Sequence, residues 1–167
     1  YNDLGIKEKV VRAYALLDLL ARSGSPYIFK GGTCTGLILG DRTRRLSIDI
    51  DIICPPGTNI EEYLGKIKEF GFTRTELIER RQAGKDIPKS HSKFFYHIAY
   101  TDRAIQESYI LLDVLYEDTH YYKVNQTEVI NQFIELDSEP SIVKVPSIGD
   151  ILGDKLTAFA PNTTGIP

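Results

Sequence analysis

The chain has 167 residues, of which 42% are hydrophobic and 26% are charged, a composition typical of one globular domain with its own core. Its 23 acidic and 20 basic residues give a net charge of -3, which excludes an overall attraction to nucleic acid or to an anionic membrane. The apolar runs are far shorter than the ~20 residues of a membrane span, and the first residues lack the hydrophobic region of a signal peptide. We therefore expect a cytoplasmic protein with no membrane partner.

Hydrophobic periodicity and the positions of glycine and proline divide the chain into helices and strands. Apolar residues at helical spacing indicate helices, and short apolar or alternating runs bounded by turn residues indicate strands. In chain order, the predicted elements are a helix at 6–22 that ends at Gly24, a strand at 27–30, a short helix at 34–40, a strand at 44–53, a helix from Asn59 to Gly71, strands at 72–80, 92–100 and 108–116, a strand pair at 133–137 and 141–145, and a helix at 146–160 with Ser147 at its N-cap.

The order of these elements predicts an α/β (α+β) fold, a mixed β-sheet flanked by helices. Strands late in the chain follow one another too closely for crossover helices, so they are expected to pair antiparallel. A fully parallel, doubly wound sheet fits this order less well. We expect one domain over residues 1–167.

The predicted strand at 44–53 carries two carboxylates on one face. Side chains in a strand alternate between faces, so Arg45, Ser47, Asp49 and Asp51 share one face and four apolar residues share the other. Two like charges roughly 7 Å apart repel each other, and a divalent cation between them would remove the repulsion. We expect Arg45 and Ser47 to hold the acids in position or to contact the substrate. An ordinary strand with a solvated polar face is the alternative.

Gly31, Gly32 and Thr33 lie between a predicted strand and a predicted helix, which is the arrangement of an anion-binding corner. Glycines let the backbone approach a phosphate, and free N–H groups at the start of a helix point toward it. Ordinary turn chemistry is the alternative, and the segment matches neither the Rossmann glycine motif nor the Walker A motif. Together with the two acids, the corner predicts phosphoryl or nucleotidyl transfer, in which it holds a triphosphate and the acids hold the bridging Mg²⁺.

Asp113 is the candidate for a third acidic ligand. It stands alone in the strongly apolar strand at 108–116, where a charged residue is costly unless it has a partner. A metal ion would be such a partner. An acid that faces solvent, or that pairs with Arg or Lys, is the alternative.

The segment FKGGTCTGLILGDRTRRLSIDIDI, residues 29–52, resembles the hallmark of the nucleotidyltransferase superfamily, in which Gly-Gly or Gly-Ser is followed by Asp-x-Asp. Its KGGT and R-x-S-x-D-x-D elements, with KLTAF later in the chain, are similar to those of the AbiEii/AbiGii toxin family of type IV toxin-antitoxin and phage abortive-infection systems. The similarity extends from about residue 27 to the end of the chain.

This resemblance implies a DNA-polymerase-β-like core in which Asp49, Asp51 and a third carboxylate, here Asp113, bind two Mg²⁺ ions, or Mn²⁺ in their place. Residues 31–33 would cradle the nucleotide phosphates, and Lys155 resembles the family lysine that contacts them. The implied reaction transfers a nucleoside monophosphate from an NTP to a hydroxyl acceptor. RNA, such as a tRNA 3′ end, is the expected acceptor, and a cognate antitoxin is the expected partner.

In relatives, the lysine helix leads into a helical C-terminal region with an Arg/Lys-Asp-x-x-Asp element, which is not found up to Pro167. We therefore expect residues 1–167 to be a nucleotidyltransferase core that is truncated before that region. Two alternatives to nucleotidyl transfer stay open. One is a catalytically silent module that binds nucleotide, RNA or antitoxin, and the other is an NTP-dependent kinase that uses the same metal site.

Overall fold

The computed structural model describes residues 3–43, 46–65, 67–78, 88–99, 106–132, 134–135 and 137–158. Within these ranges, the α-helices are α1 (Leu4–Ser23), α2 (Gly31–Leu39) and α3 (Ile148–Thr157). The strands are β1 (Ile28–Lys30), β2 (Ile50–Cys54), β3 (Arg74–Ile78), β4 (Lys89–His97), β5 (Glu107–Tyr116), β6 (Val124–Glu128) and β7 (Ile142–Pro146). None of the helices in this part of the chain is long and apolar enough to cross a membrane.

Five strands form a mixed sheet in the order β1-β2-β5-β4-β3. The central pair, β2 and β5, is parallel, and the other neighbouring strands are antiparallel. Strands β6 and β7 form a separate antiparallel pair, and β7 packs beside β1. The predicted fold class, a mixed sheet flanked by helices, is confirmed.

One face of the sheet forms the core together with α1. Every second residue of β2, β4 and β5 points to this face, as the strand period of two requires, and α1 packs against β2 and β5. Burial of these side chains drives the packing, and the opposite face carries polar residues together with apolar ones such as Ile53. Members of the core include Val10, Leu16, Leu17, Leu20, Phe29, Ile50, Ile52, Phe94, Tyr96, Ile110, Leu112 and Val114.

The structure confirms the predicted helices at both ends of the chain. Asp3 caps α1 by accepting hydrogen bonds from the N–H groups of Gly5 and Ile6, and α1 ends at Gly24. At the start of α3, the Ser147 hydroxyl accepts a hydrogen bond from the N–H of Asp150, as its predicted N-cap role requires.

The predicted strand at 44–53 is shorter than expected. Strand β2 begins at Ile50, residues 46–49 do not join the sheet, and residues 44 and 45 lie outside the described ranges. The partner strand on one side ends at Lys30, opposite Asp51, because the chain turns there into α2. Residues 46–49 therefore have no neighbouring strand on that side, although Leu46 and Ile48 still pack against the core.

The predicted helix from Asn59 to Gly71 is wrong, because this segment forms two short 3₁₀ helices, Ile60–Tyr63 and Ile67–Phe70. Gly65 lies between them, and a glycine inside a helix costs about 1 kcal/mol relative to alanine. Asn59 does not cap the first turn with its side chain.

The predicted pairing of 133–137 with 141–145 is also wrong. Strand β7 pairs with β6, a segment that the hydrophobic pattern did not indicate as a strand. Four of the five β6 residues are exposed, so the segment lacks the apolar alternation by which strands are recognised. The described residues at 134, 135 and 137 belong to no strand.

Candidate active site

Four polar side chains form a row across the face of the sheet that points away from α1. Lys30 of β1 lies opposite Asp51 of β2, Asp51 lies opposite Asp113 of β5, and Asp113 lies opposite His91 of β4. Residues in register on neighbouring strands share a face and are about 4.8 Å apart in the backbone. The sheet therefore brings two carboxylates together, with one basic side chain on each side of the pair.

Burial and the neighbouring acids together raise the pKa values of Asp51 and Asp49. Burial and the charge of Asp113 raise the pKa of Asp51 from 3.8 to about 6, against the opposing effect of Lys30, while Asp49 raises it further. Burial and the charge of Asp113 likewise raise the pKa of Asp49. All three predicted acids thus lie within range of one another's charges.

The glycine corner packs directly onto this acid cluster. Helix α2 begins at Gly31, whose φ of 79° is in the region that favours glycine, and a Cβ there would lie only 2.6 Å from Cγ of Asp51. A Cβ on Gly32 would lie 2.6 Å from Oγ of Ser47. The two glycines therefore allow the start of α2 to approach Asp51 and Ser47 more closely than any side chain would permit.

The start of α2 has backbone N–H groups that no side-chain cap satisfies, because Lys30 at the N-cap position makes no such bond. Free N–H groups and the positive end of the helix dipole are suited to phosphate. The glycine corner therefore retains the chemical character predicted for a phosphate cradle.

The side chain of Thr33 makes a hydrogen bond within the protein. Thr33 is 2% exposed, and its hydroxyl donates a 2.6 Å hydrogen bond to the main-chain oxygen of Asp49. This bond fixes the segment that carries Asp49 beside α2. A contact of Thr33 with phosphate would have to use its backbone N–H. Arg45, the other residue predicted to share this face, lies outside the described residues.

His91 is a neighbour of the acids that sequence analysis did not find. Its Nδ1 lies 2.6 Å from Oδ1 of Asp113, so the partner of this acid is a histidine, and neither Arg nor Lys as the alternative supposed. The strand was predicted to begin at residue 92, so His91 was expected in the preceding loop, whereas β4 begins at Lys89. The pair with Asp113 also depends on the register of β4 on β5, which the sequence pattern does not give.

Lys155 approaches the acids from α3. Its side chain is exposed, and its charge is one of those that oppose the rise in the pKa of Asp51. The preceding residue, Asp154, accepts a 2.8 Å hydrogen bond from the Tyr121 hydroxyl and lies 3.5 Å from Nζ of Lys30. Tyr121 and Asp154 were also not predicted, because their contact joins segments more than 30 residues apart.

The chemistry of the donor set fits Mg²⁺. Carboxylate oxygens are the ligands that hard divalent cations prefer. Burial and then the charge of Asp113 raise the pKa of Asp51, and a cation would relieve the part that is due to charge. Among the described residues, no three or more His, Cys, Asp or Glu side chains form a group that could hold a metal ion. The candidate ligands are accordingly the neighbouring pair Asp51 and Asp113, with Asp49 beside them.

The fold resembles that of two solved structures from Helicobacter pylori. JHP933 is 21% identical with a TM-score of 0.58, and the match covers 94% of this chain and 58% of that one. A provisionally assigned nucleotidyltransferase is 22% identical with a TM-score of 0.55, and the match covers 95% of this chain and 60% of that one. The chain thus spans about three fifths of the length of each protein. None of the curated proteins compared matches it.

A mixed sheet with this acid cluster and glycine corner is the architecture of the nucleotidyltransferase class. The family model for the nucleotidyl transferase AbiEii toxin of type IV toxin-antitoxin systems matches residues 15–165. The chain therefore belongs to the AbiEii family, and the resemblance drawn from residues 29–52 and the KLTAF element is confirmed.

Proposed function

We propose that the chain is the core of a metal-dependent nucleotidyltransferase that transfers a nucleoside monophosphate from an NTP to a hydroxyl acceptor. The observation that carries this proposal is the position of Asp51 and Asp113, side by side on two parallel strands and next to the glycine start of α2. Carboxylates for a metal and N–H groups for phosphate lie at one place, as this reaction requires.

Asp49, Asp51 and Asp113 would hold Mg²⁺, in the two-ion arrangement that the family resemblance implies. When bound, the metal activates the attacking hydroxyl and neutralises charge on the leaving pyrophosphate. The protein's own part is to bind and orient the nucleotide. The backbone N–H groups of residues 31–33 would donate hydrogen bonds to the triphosphate, and Lys155 would place a positive charge beside it.

The neighbouring side chains keep the acids in place. Thr33 anchors the main chain at Asp49, and His91 holds one oxygen of Asp113. Lys30 and Lys155 offset part of the negative charge around Asp51. A preorganised site of this kind needs little rearrangement when the substrate arrives, which is the main source of electrostatic catalysis.

The biological role follows the family. RNA, such as a tRNA 3′ end, is the proposed acceptor, and the proposed role is that of a toxin whose action a cognate antitoxin restrains, as in abortive infection. Support for this role comes from the family model, which describes a type IV toxin.

The test is to incubate full-length protein and total tRNA with each NTP, labelled with ³²P in either the α or the γ phosphate. We expect metal-dependent label on RNA from the α position only. Asp51→Asn and Asp113→Asn should abolish it, while Asp137→Asn, at an exposed acid elsewhere, should not. Label from the γ position would indicate a kinase instead, and no incorporation from any NTP would leave only a binding module.

A further inference from the structure

Apolar packing does little to hold helix α3 against the rest of the protein. Of its ten residues only Ile151 is buried. Ile148, Leu152 and Leu156 are 60%, 56% and 64% exposed. Since one buried side chain contributes only about 2 kcal/mol, polar contacts must largely determine where α3 lies.

Those polar contacts all lie on one side of the helix. The carboxylate of Asp150 accepts hydrogen bonds from the backbone N–H groups of Tyr122 and Lys123, at 3.0 and 3.2 Å. One turn later, Oδ2 of Asp154 accepts the 2.8 Å bond from the Tyr121 hydroxyl and lies 3.5 Å from Lys30. The helix is thus tied to the loop after β5 and, through Lys30, to the edge of the main sheet.

We propose that Tyr121 and Asp154 are positioning residues for nucleotide binding, whose hydrogen bond fixes α3 so that Lys155 faces the acid cluster. This inference rests on the proposed function, because it assigns Lys155 to the phosphates of an NTP. Neither Tyr121 nor Asp154 touches the substrate in this proposal. Their effect is transmitted through the position of the helix.

The geometry favours an effect of Tyr121 and Asp154 on nucleotide binding through Lys155 over an effect confined to the packing of α3. Successive residues on a helix point about 100° apart, so an anchor at Asp154 directly sets the direction of Lys155. The same Asp154 oxygen also holds the ammonium of Lys30, the register partner of Asp51. A single carboxylate therefore locates both lysines whose charges act on Asp51.

The Tyr121 bond persists at every pH at which the protein would work. Burial, together with the adjacent charge of Asp154, raises the pKa of Tyr121 well above its usual value, so the phenol remains a hydrogen-bond donor. The interaction acts as a fixed tie, and its removal by mutation should have the same consequence across the neutral range.

The experiment measures the Kd of the full-length protein for a non-hydrolysable NTP analogue with Mg²⁺. Tyr121→Phe removes the hydroxyl and keeps the ring, and Tyr122→Phe is its matched control, because the Tyr122 side chain is 96% exposed. Loss of one hydrogen bond to a charged group should raise the Kd about tenfold in Tyr121→Phe. Tyr122→Phe should bind as the wild type does.

The decisive comparison is made in a Lys155→Ala background, where Tyr121→Phe should raise the Kd no further. A merely structural role would weaken binding equally in both backgrounds, and that result would overturn the inference, as would an unchanged Kd for Tyr121→Phe alone. Asp154→Ala removes the same bond and also frees Lys30, so in the wild-type background it should raise the Kd at least as much as Tyr121→Phe does. If the wild type itself fails to bind the analogue, the proposed function fails and the inference with it. If the wild type binds the analogue and Tyr121→Phe leaves the Kd unchanged, only the inference fails.

Discussion

Replacing Asp51 with Asn should stabilise the metal-free protein. Burial of the Asp51 carboxylate, together with the nearby charges of Asp113 and Asp49, makes its ionised form costly to the fold. Asn has nearly the same shape and no charge. The substitution therefore removes the repulsion while leaving the packing around Gly31 almost unchanged.

The size of the effect follows from the pKa. A rise from 3.8 to about 6, at 1.36 kcal/mol for each pKa unit, costs the folded state about 3 kcal/mol when Asp51 is ionised. Because the folded-state pKa lies above the unfolded one, this cost is fully present above about pH 7 and disappears below about pH 4, where both states are protonated. Burial of the Asn amide offsets part of the gain, which leaves about 1–3 kcal/mol.

Urea unfolding of wild type and Asp51→Asn, in EDTA at several pH values, measures this difference. We expect the variant to be more stable at pH 7.5 and the two proteins to converge at pH 4. Excess Mg²⁺ should reverse the order at neutral pH, because only the wild type keeps the full set of acids that binding would stabilise.

Two results would refute this reasoning. If Asp51→Asn were less stable than the wild type in EDTA at pH 7.5, the carboxylate would have to be favourably paired, and the acid cluster would not be strained. A stability difference that did not change between pH 7.5 and pH 4 would show that charge is not its cause.

Two pairs of substitutions test the glycine corner and the hydrogen bond that anchors Asp49. Gly31→Ala should destabilise the fold by at least ~2 kcal/mol, because its Cβ would overlap Asp51 and its φ is positive, whereas Gly36→Ala, in open space within α2, should stabilise it by about 0.5–1 kcal/mol in thermal unfolding. Thr33→Val should cost about 1–3 kcal/mol by leaving the Asp49 carbonyl without its donor, while Thr33→Ser keeps the hydroxyl and should cost less. Equal stability of Gly31→Ala and Gly36→Ala would contradict the close contact of Gly31 with Asp51. Equal stability of Thr33→Val and Thr33→Ser would contradict the hydrogen bond from Thr33 to Asp49.

The local parts of the site were accessible from the sequence. Alternation indicated Asp49 and Asp51 as a pair of acids, although Asp49 lies just before β2 and not within it. The apolar surroundings of Asp113 indicated that this acid needs a partner. The glycines between a strand and a helix predicted a close backbone approach to phosphate, which stays a prediction, whereas the close contact of Gly31 with Asp51 was not predicted. Each of these signals depends on residues within a few positions of one another.

The remaining parts depend on long-range register, which no local pattern encodes. His91 meets Asp113 only because β4 pairs with β5 in one particular register, and Tyr121 meets Asp154 only because α3 returns to the loop after β5. Strand β6 was not predicted because its residues are mostly exposed, so its sequence lacks the alternation of apolar and polar residues that indicates a strand.

The central claim is that Asp51 and Asp113 share one divalent cation beside the start of α2. Crystals of the full-length protein grown with Mn²⁺ and a non-hydrolysable NTP would test it directly, because Mn²⁺ can be located by its anomalous scattering. We expect an anomalous peak within bonding distance of both carboxylates, with the nucleotide phosphates against the N–H groups at residues 31–33. A nucleotide bound elsewhere, or a Mn²⁺ peak that neither Asp51 nor Asp113 contacts, would contradict it.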